Sequence, residues 1–239
     1  NQFFHEHYLG FSYIVPAASD ETSQQCYYTK MFRDINVQGV QLIDIESRRS
    51  LYFLNEKFEG FFEPAFMSDY YVNRVGEKQR LDFTRYLCLL SAFKKLNDVN
   101  KVARGFSGKK IEKYIEMYIY SVVGNDNEDI FGSFSVIFPD GDFADDIQRL
   151  KDTLDDLNLS TEYPSIINMD MYFFGLIYHV LLCHRHIDIS RKWQLKNRIE
   201  RRINDLRDMD NHAQAPAQFQ YMRQRLIQSI NVYETFVLS

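Results

Sequence analysis

The chain has 239 residues, a formal net charge of −5 and 45% hydrophobic residues, a composition that excludes an intrinsically disordered protein. Its three cysteines form no Cys-x-x-Cys pair, which argues against a disulfide framework and leads us to expect a cytoplasmic protein. No run approaches the roughly 20 uncharged apolar residues of a membrane span, so no membrane association is predicted.

The first 60 residues mix short β-prone and helical segments. Gly10–Val15 is β-prone and is stopped by Pro16. Asn36–Gly39 is a turn signal, and Asp44 can cap a helix that follows it. We therefore predict a small α+β region over residues 1–60.

Beyond residue 60, apolar side chains recur at helical spacing. The stretch Met169–Cys183 is the most apolar and predicts a buried core helix. We therefore predict a mainly α protein, with a multi-helix bundle over residues 61–239. The apolar stripes run over residues 83–93, 111–122, 143–157, 174–182, 195–209 and 222–237.

The segment around the turn at Asn36–Gly39 has the residue types of a phosphate site. Asn tolerates left-handed backbone and Gly39 permits it freely, so backbone N–H groups can point outward at an anion. The nearby arginines carry guanidinium groups suited to phosphate, and Glu46 could pair with an Arg or a magnesium-bound water. A plain turn before a capped helix with surface charges is the alternative. The predicted nucleotide-binding residues are Arg33, Asn36, Gly39, Glu46, Arg48 and Arg49.

A second basic cluster lies between Arg191 and Arg202. On a helix, such side chains can contact the phosphate backbone of DNA, although a solvated helix face is the alternative. The pair His184 and His186 has no third ligand at metal-site spacing, so no metal site is predicted there. The predicted DNA-binding residues are Lys192, Lys196, Arg198, Arg201 and Arg202.

The turn segment also resembles a known family. Its pattern Phe-x3-Asn-x2-Gly-x2-Leu, followed by Glu-x-Arg, is similar to the second signature of the GmrSD-type restriction proteins. The resemblance implies a ParB- and sulfiredoxin-like N-terminal domain that binds and hydrolyses a nucleoside triphosphate with Mg²⁺. It also implies a role in bacterial defence against foreign DNA, with DNA or an effector subunit as partner. The residues that match are Phe32, Asn36, Gly39, Leu42 and Glu46.

One motif of that family does not occur in these 239 residues. Family members carry Asp-Gly-Gln-Gln-Arg on a preceding strand, where it is tied to nucleotide hydrolysis. The chain begins at Asn1 without Met, so we expect this motif in sequence upstream, and no catalytic residue is assigned here. Enzymatic activity of this segment therefore stays open. The alternative function is a non-enzymatic helical module for protein interaction or homo-oligomerisation.

Overall fold

The computed structural model describes residues 15, 17, 20, 23–24, 27–28, 31 and 44–238, without 75, 107, 109, 125–128 and 210–211. The chain divides into two compact units, Asn1–Leu54 and Asn55–Ser239. The predicted turn at Asn36–Gly39, and all but the last residue of the predicted strand Gly10–Val15, lie outside the described residues. The first unit contains helix α1 (Asp44–Tyr52), which begins at the predicted residue.

The second unit is mainly helical, as predicted. It contains a three-stranded sheet formed by β1 (Tyr71–Arg74), β2 (Glu77–Arg80) and β3 (Glu162–Tyr163). A π-helical turn (Tyr178–Leu182) extends helix α7. The helices are α2 (Glu59–Phe62), α3 (Phe83–Leu96), α4 (Lys110–Val123), α5 (Phe134–Ile137), α6 (Ala144–Leu157), α7 (Ile166–Ile177), α8 (Lys192–Asp208) and α9 (Phe219–Glu234). Short 3-10 turns span Ala65–Asp69, Val99–Lys101 and Ile189–Arg191, and a further one, Phe53–Phe58, begins in the first unit.

Local side chains set the ends of the longer helices. The Asp82 carboxylate accepts a hydrogen bond from the backbone N–H of Arg85 and caps α3. The Ser165 hydroxyl accepts from the backbone N–H of Asn168 and caps α7. Helices α3 and α6 end at Asn97 and Asn158, which adopt left-handed backbone (φ 49° and 47°), a conformation that asparagine tolerates.

The small sheet has the strand order β2-β1-β3. β1 and β2 form an antiparallel hairpin in which Tyr71 pairs with Arg80. β1 and β3 are parallel, with Tyr71 opposite Glu162 and Val72 opposite Tyr163. None of these strands was predicted from the sequence. Strands β1 and β3 both contact helix α7.

Helix α7 forms the centre of this core. Every residue from Ile167 to Ile177 is buried, which confirms the core helix predicted from this apolar stretch. It packs closely on α9 because Gly175 lacks a side chain: a Cβ there would lie 2.4 Å from Tyr233 Cδ2 and 2.5 Å from the Ser229 carbonyl oxygen. The Ser229 hydroxyl accepts from the Gly175 N–H (2.7 Å) and donates to the Met171 carbonyl (2.8 Å).

Candidate functional site

Helix α8 separates two differently built surfaces. One side of the helix is apolar and lies in the core, because its hydrophobic residues recur at helical spacing. The polar residues then fall on two flanks on either side of that stripe. The predicted DNA-binding residues are divided between these flanks and do not form one patch. The buried residues of α8 are Leu195, Ile199, Ile203 and Leu206.

One flank lines a groove of about 530 Å³, which we call the arginine groove. Four guanidinium groups and one carboxylate line it, so its charge favours an anionic ligand. It brings together three of the predicted DNA-binding residues, together with an arginine and a phenylalanine that were not predicted. The groove is lined chiefly by Arg191, Arg198, Arg201, Arg202, Asp205 and Phe236.

The chain segment after α9 fixes part of the arginine groove. The Arg191 guanidinium lies over the Phe236 ring, 4.6 Å from its centroid, and donates to the Thr235 carbonyl (3.2 Å). Arg198 donates to the Thr235 hydroxyl (3.1 Å). Two arginines are therefore held in place while their remaining N–H groups stay available to a ligand.

The other two arginines of the groove are less constrained. Arg202 forms an exposed ion pair with Asp205 at 3.3 Å, an interaction that contributes little to stability in water. Arg201 is exposed and makes no hydrogen bond or ion pair to any described residue. The groove therefore contains at least one guanidinium fork whose donors are all free for phosphate oxygens.

Lys192 and Lys196 lie on the opposite flank and have a structural role. Lys192 Nζ donates to the Asp156 carbonyl (3.1 Å), and Lys196 Nζ donates to the Asn158 carbonyl (2.7 Å). These carbonyls belong to the C-terminal end of α6, where backbone acceptors lack helical partners and positive charge is favourable. Burial, and next the charge of Lys192, lower the pKa of Lys196.

The predicted nucleotide site falls largely outside the described residues. Arg33, Asn36 and Gly39 lie there, as does the side chain of Glu46, although its backbone belongs to α1. Arg48 is almost fully buried, with 1% of its surface exposed, whereas Arg49 is exposed. Of these two arginines, Arg49 is therefore the one whose guanidinium is accessible from solvent.

A buried charged network lies between α3, α7 and α9 and was not predicted as a site. The Asp170 carboxylate accepts from Arg85 (3.1 and 3.4 Å), the Tyr86 hydroxyl (2.7 Å) and Arg225 Nε (2.8 Å). Asp170 and Arg225 are almost completely removed from solvent. Burial is the largest single influence on Asp170 and by itself would raise its pKa. The charges of Arg85 and Arg225 together outweigh burial and hold the pKa of Asp170 below its ordinary value. Asp170 is therefore an anion that pairs with two cations, Arg85 and Arg225.

His212 extends the network into the loop between α8 and α9. Arg225 Nη1 donates to His212 Nε2 at 3.0 Å, and the His212 ring packs on Tyr221 with centroids 4.6 Å apart. Burial, and next the charge of Arg225, lower the pKa of His212 to about 4. A neutral His212 is the form that can accept this hydrogen bond.

The sequence carries a signal from which this network could be predicted. Asp170 stands alone as a charge within the apolar run 166–177, and Arg225 falls on the buried stripe of α9 beside Met222 and Leu226. A charge on an apolar helix face needs a buried partner of opposite sign. Assigning Arg225 as the buried partner of Asp170 would predict that α7 packs against α9.

No protein-family model matches the chain, and neither the curated proteins nor the solved structures contain a significant match to it. Among the helices of the described residues, none is both long and apolar enough to cross a membrane. Within the same part of the chain, no three His, Cys, Asp or Glu residues are grouped so that they could hold a metal ion.

Proposed function

We propose that the chain is part of a cytoplasmic, nucleotide-dependent DNA-restriction protein of the GmrSD type, and that the arginine groove contacts the phosphate backbone of DNA. The observation that supports this proposal is the groove itself, in which four guanidinium groups face one carboxylate. DNA carries a dense line of negative charge, and arginine forks bind its phosphates through paired N–H donors. The contacts would be independent of base sequence, since they go to the backbone.

The nucleotide part of the proposal rests on the resemblance at Phe32–Glu46. The turn at Asn36 and Gly39 would hold the phosphates of a nucleoside triphosphate with Mg²⁺. The exposed Arg49 is a candidate to neutralise phosphate charge. A strand upstream of Asn1 would supply the hydrolysing residues, and the helical unit would act on DNA or on an effector subunit.

DNA binding tests the proposal through two groups of basic residues on one helix. Fluorescence anisotropy would follow a labelled 20-base-pair duplex at several salt concentrations. The triple variant R198Q/R201Q/R202Q is expected to weaken binding at least about tenfold and to reduce the salt-dependence slope by about 3, one unit for each phosphate that is no longer neutralised. Lys192→Gln is the control, because Lys192 lies on the opposite flank of α8 and donates to the end of α6 rather than lining the groove. Equal losses of affinity in both proteins would contradict the groove assignment.

Nucleotide binding is tested separately by calorimetry. ATP, GTP and CTP with Mg²⁺ would be titrated into this chain and into the protein encoded by the whole gene. We expect binding by the longer protein alone, and we expect Asn36→Ala to abolish it without unfolding the protein. An unchanged affinity in that variant would exclude the turn as the phosphate site while leaving the arginine groove untouched.

A helical interaction module is the second candidate function. Trp193 and Val136 are large apolar side chains with 74% and 76% of their surface exposed. An exposed tryptophan is a frequent anchor of protein interfaces. Sedimentation velocity from 1 to 100 µM measures self-association. A concentration-dependent dimer that Trp193→Ala dissociates would favour this function, and a monomer throughout would oppose homo-oligomerisation.

A further inference from the structure

A second cavity lies on the flank of α8 opposite the arginine groove. Its volume is about 420 Å³, within the range of sites that bind small molecules. It is formed by the end of α6, by β3 and the start of α7, and by α8. We call it the tyrosine cavity, and its polar wall is formed chiefly by Glu162, Tyr163, Asn168, Tyr172, Lys196 and Glu200.

The first indication of a ligand is a buried hydroxyl group. Tyr163 has 3% of its surface exposed, and its hydroxyl oxygen has no hydrogen-bond partner among the described residues. Buried side-chain polar atoms in folded proteins nearly always have such a partner. The neighbouring Tyr172 does have one, because its hydroxyl donates to Glu200 Oε1 at 2.7 Å. Of the two tyrosines, Tyr163 therefore has the donor and acceptor capacity left for a bound molecule.

The second indication is a pair of opposite charges that do not neutralise each other. Lys196 and Glu200 are one helical turn apart on α8, and both line the cavity. No ion pair within 4.0 Å joins them in the described part of the chain. Lys196 uses one N–H on the Asn158 carbonyl and keeps two, whereas Glu200 keeps Oε2. The wall therefore offers a positive group and a negative group at separate points.

These charges limit the chemistry of the ligand. A simple anion would face Glu200, and a simple cation would face Lys196. A molecule carrying both charges satisfies both residues, and the buried rings of Tyr163 and Tyr172, with centroids 5.6 Å apart, form the aromatic part of the wall. Glu162 at the rim is already paired with Lys78.

We propose that the tyrosine cavity binds a small zwitterion of the α-amino acid type. The ligand carboxylate accepts from Lys196 and from the Tyr163 hydroxyl, and the ligand ammonium donates to Glu200 beside the two tyrosine rings. This site is independent of DNA binding, because the arginine groove lies on the other flank of α8.

Saturation-transfer NMR tests the proposal with an equimolar mixture of the twenty standard L-amino acids. Wild-type protein is expected to transfer magnetisation to one or a few of them, and not to their N-acetylated forms, which lack the ammonium, or to their amides, which lack the carboxylate. No transfer to any free amino acid would overturn the proposal, as would equal transfer to the blocked forms.

Variants locate the binding. Tyr163→Phe removes the unpaired hydroxyl and is expected to weaken the identified amino acid at least about tenfold, about the effect of one hydrogen bond to a charged group. Its unfolding midpoint should not fall, because the hydroxyl that is removed is buried and has no partner. Glu200→Gln should also weaken the free amino acid, because the ligand ammonium loses the carboxylate to which it donates. Tyr71→Phe is the control outside the cavity, and binding that changes equally in both tyrosine variants would contradict the site.

Discussion

Replacing Asp170 with asparagine removes the carboxylate that Arg85 and Arg225 share in the core. The side chain keeps its size and can still accept from the Tyr86 hydroxyl, so packing changes little. Arg225 loses its counter-charge while only 1% of its side chain is exposed, and Arg85 loses it with 21% exposed. Removing one partner of a buried ion pair typically costs about 3–5 kcal/mol. We expect Asp170→Asn to lower the free energy of unfolding by about 4 kcal/mol at pH 7.

Urea denaturation followed by far-UV circular dichroism measures this change, since ΔG of unfolding is obtained by linear extrapolation. Asp205→Asn is the matched control, because it removes the same charge from an exposed pair with Arg202 and should cost no more than about 0.5 kcal/mol. A loss below about 1 kcal/mol for Asp170→Asn would refute the reasoning.

Three further outcomes follow from the described contacts. Gly175→Ala should destabilise the protein by about 3 kcal/mol in the same assay, because a methyl group would overlap α9, whereas Gly60→Ala meets no atom within 4 Å and should change little. His212 has a pKa of about 4 when folded and about 6.5 when unfolded, so the stability present above pH 6.5 should fall by about 3 kcal/mol as the pH drops to 4. His212→Gln should remove that part of the pH dependence, and an unchanged pH profile would contradict the assignment. Trp193, the protein's single tryptophan, should emit as a water-exposed indole and be quenched by iodide; a blue-shifted, protected emission would contradict its exposure.

The long helices could be predicted because their apolar residues carry the period of the helix. The stripe from Ile111 to Val122 became α4, and the apolar run around Met169 became α7. The hairpin 71–80 could not be predicted in this way. The four residues of β2 are Glu77–Arg80, all exposed, so no alternation marks them as a strand. The other neighbour of β1 is β3, in which Tyr163 pairs with Val72. These two residues are 91 positions apart, so a local sequence pattern cannot predict their pairing.

The candidate site shows a similar limit. A helical pattern identifies which charged residues lie off the apolar stripe of α8, but it does not identify what they meet. Lys192 and Lys196 meet the carbonyl end of α6, whereas Arg198 meets the segment after α9. Those partners come from other parts of the chain, and the arginine groove therefore emerges only from the tertiary structure. The phosphate turn at Asn36 stays a prediction.

The position of Asp170 also matters while the chain is being synthesised. Helix α7 emerges from the ribosome as an apolar segment, and Arg225, which neutralises Asp170 together with Arg85, follows 55 residues later. Until α9 packs against it, the apolar surface of α7 around Gly175 remains exposed. Exposed apolar surface of this kind makes a partly folded chain prone to aggregation. Nascent chains arrested before Phe219 should therefore recruit chaperones, and release from them should require α9 to have left the ribosome.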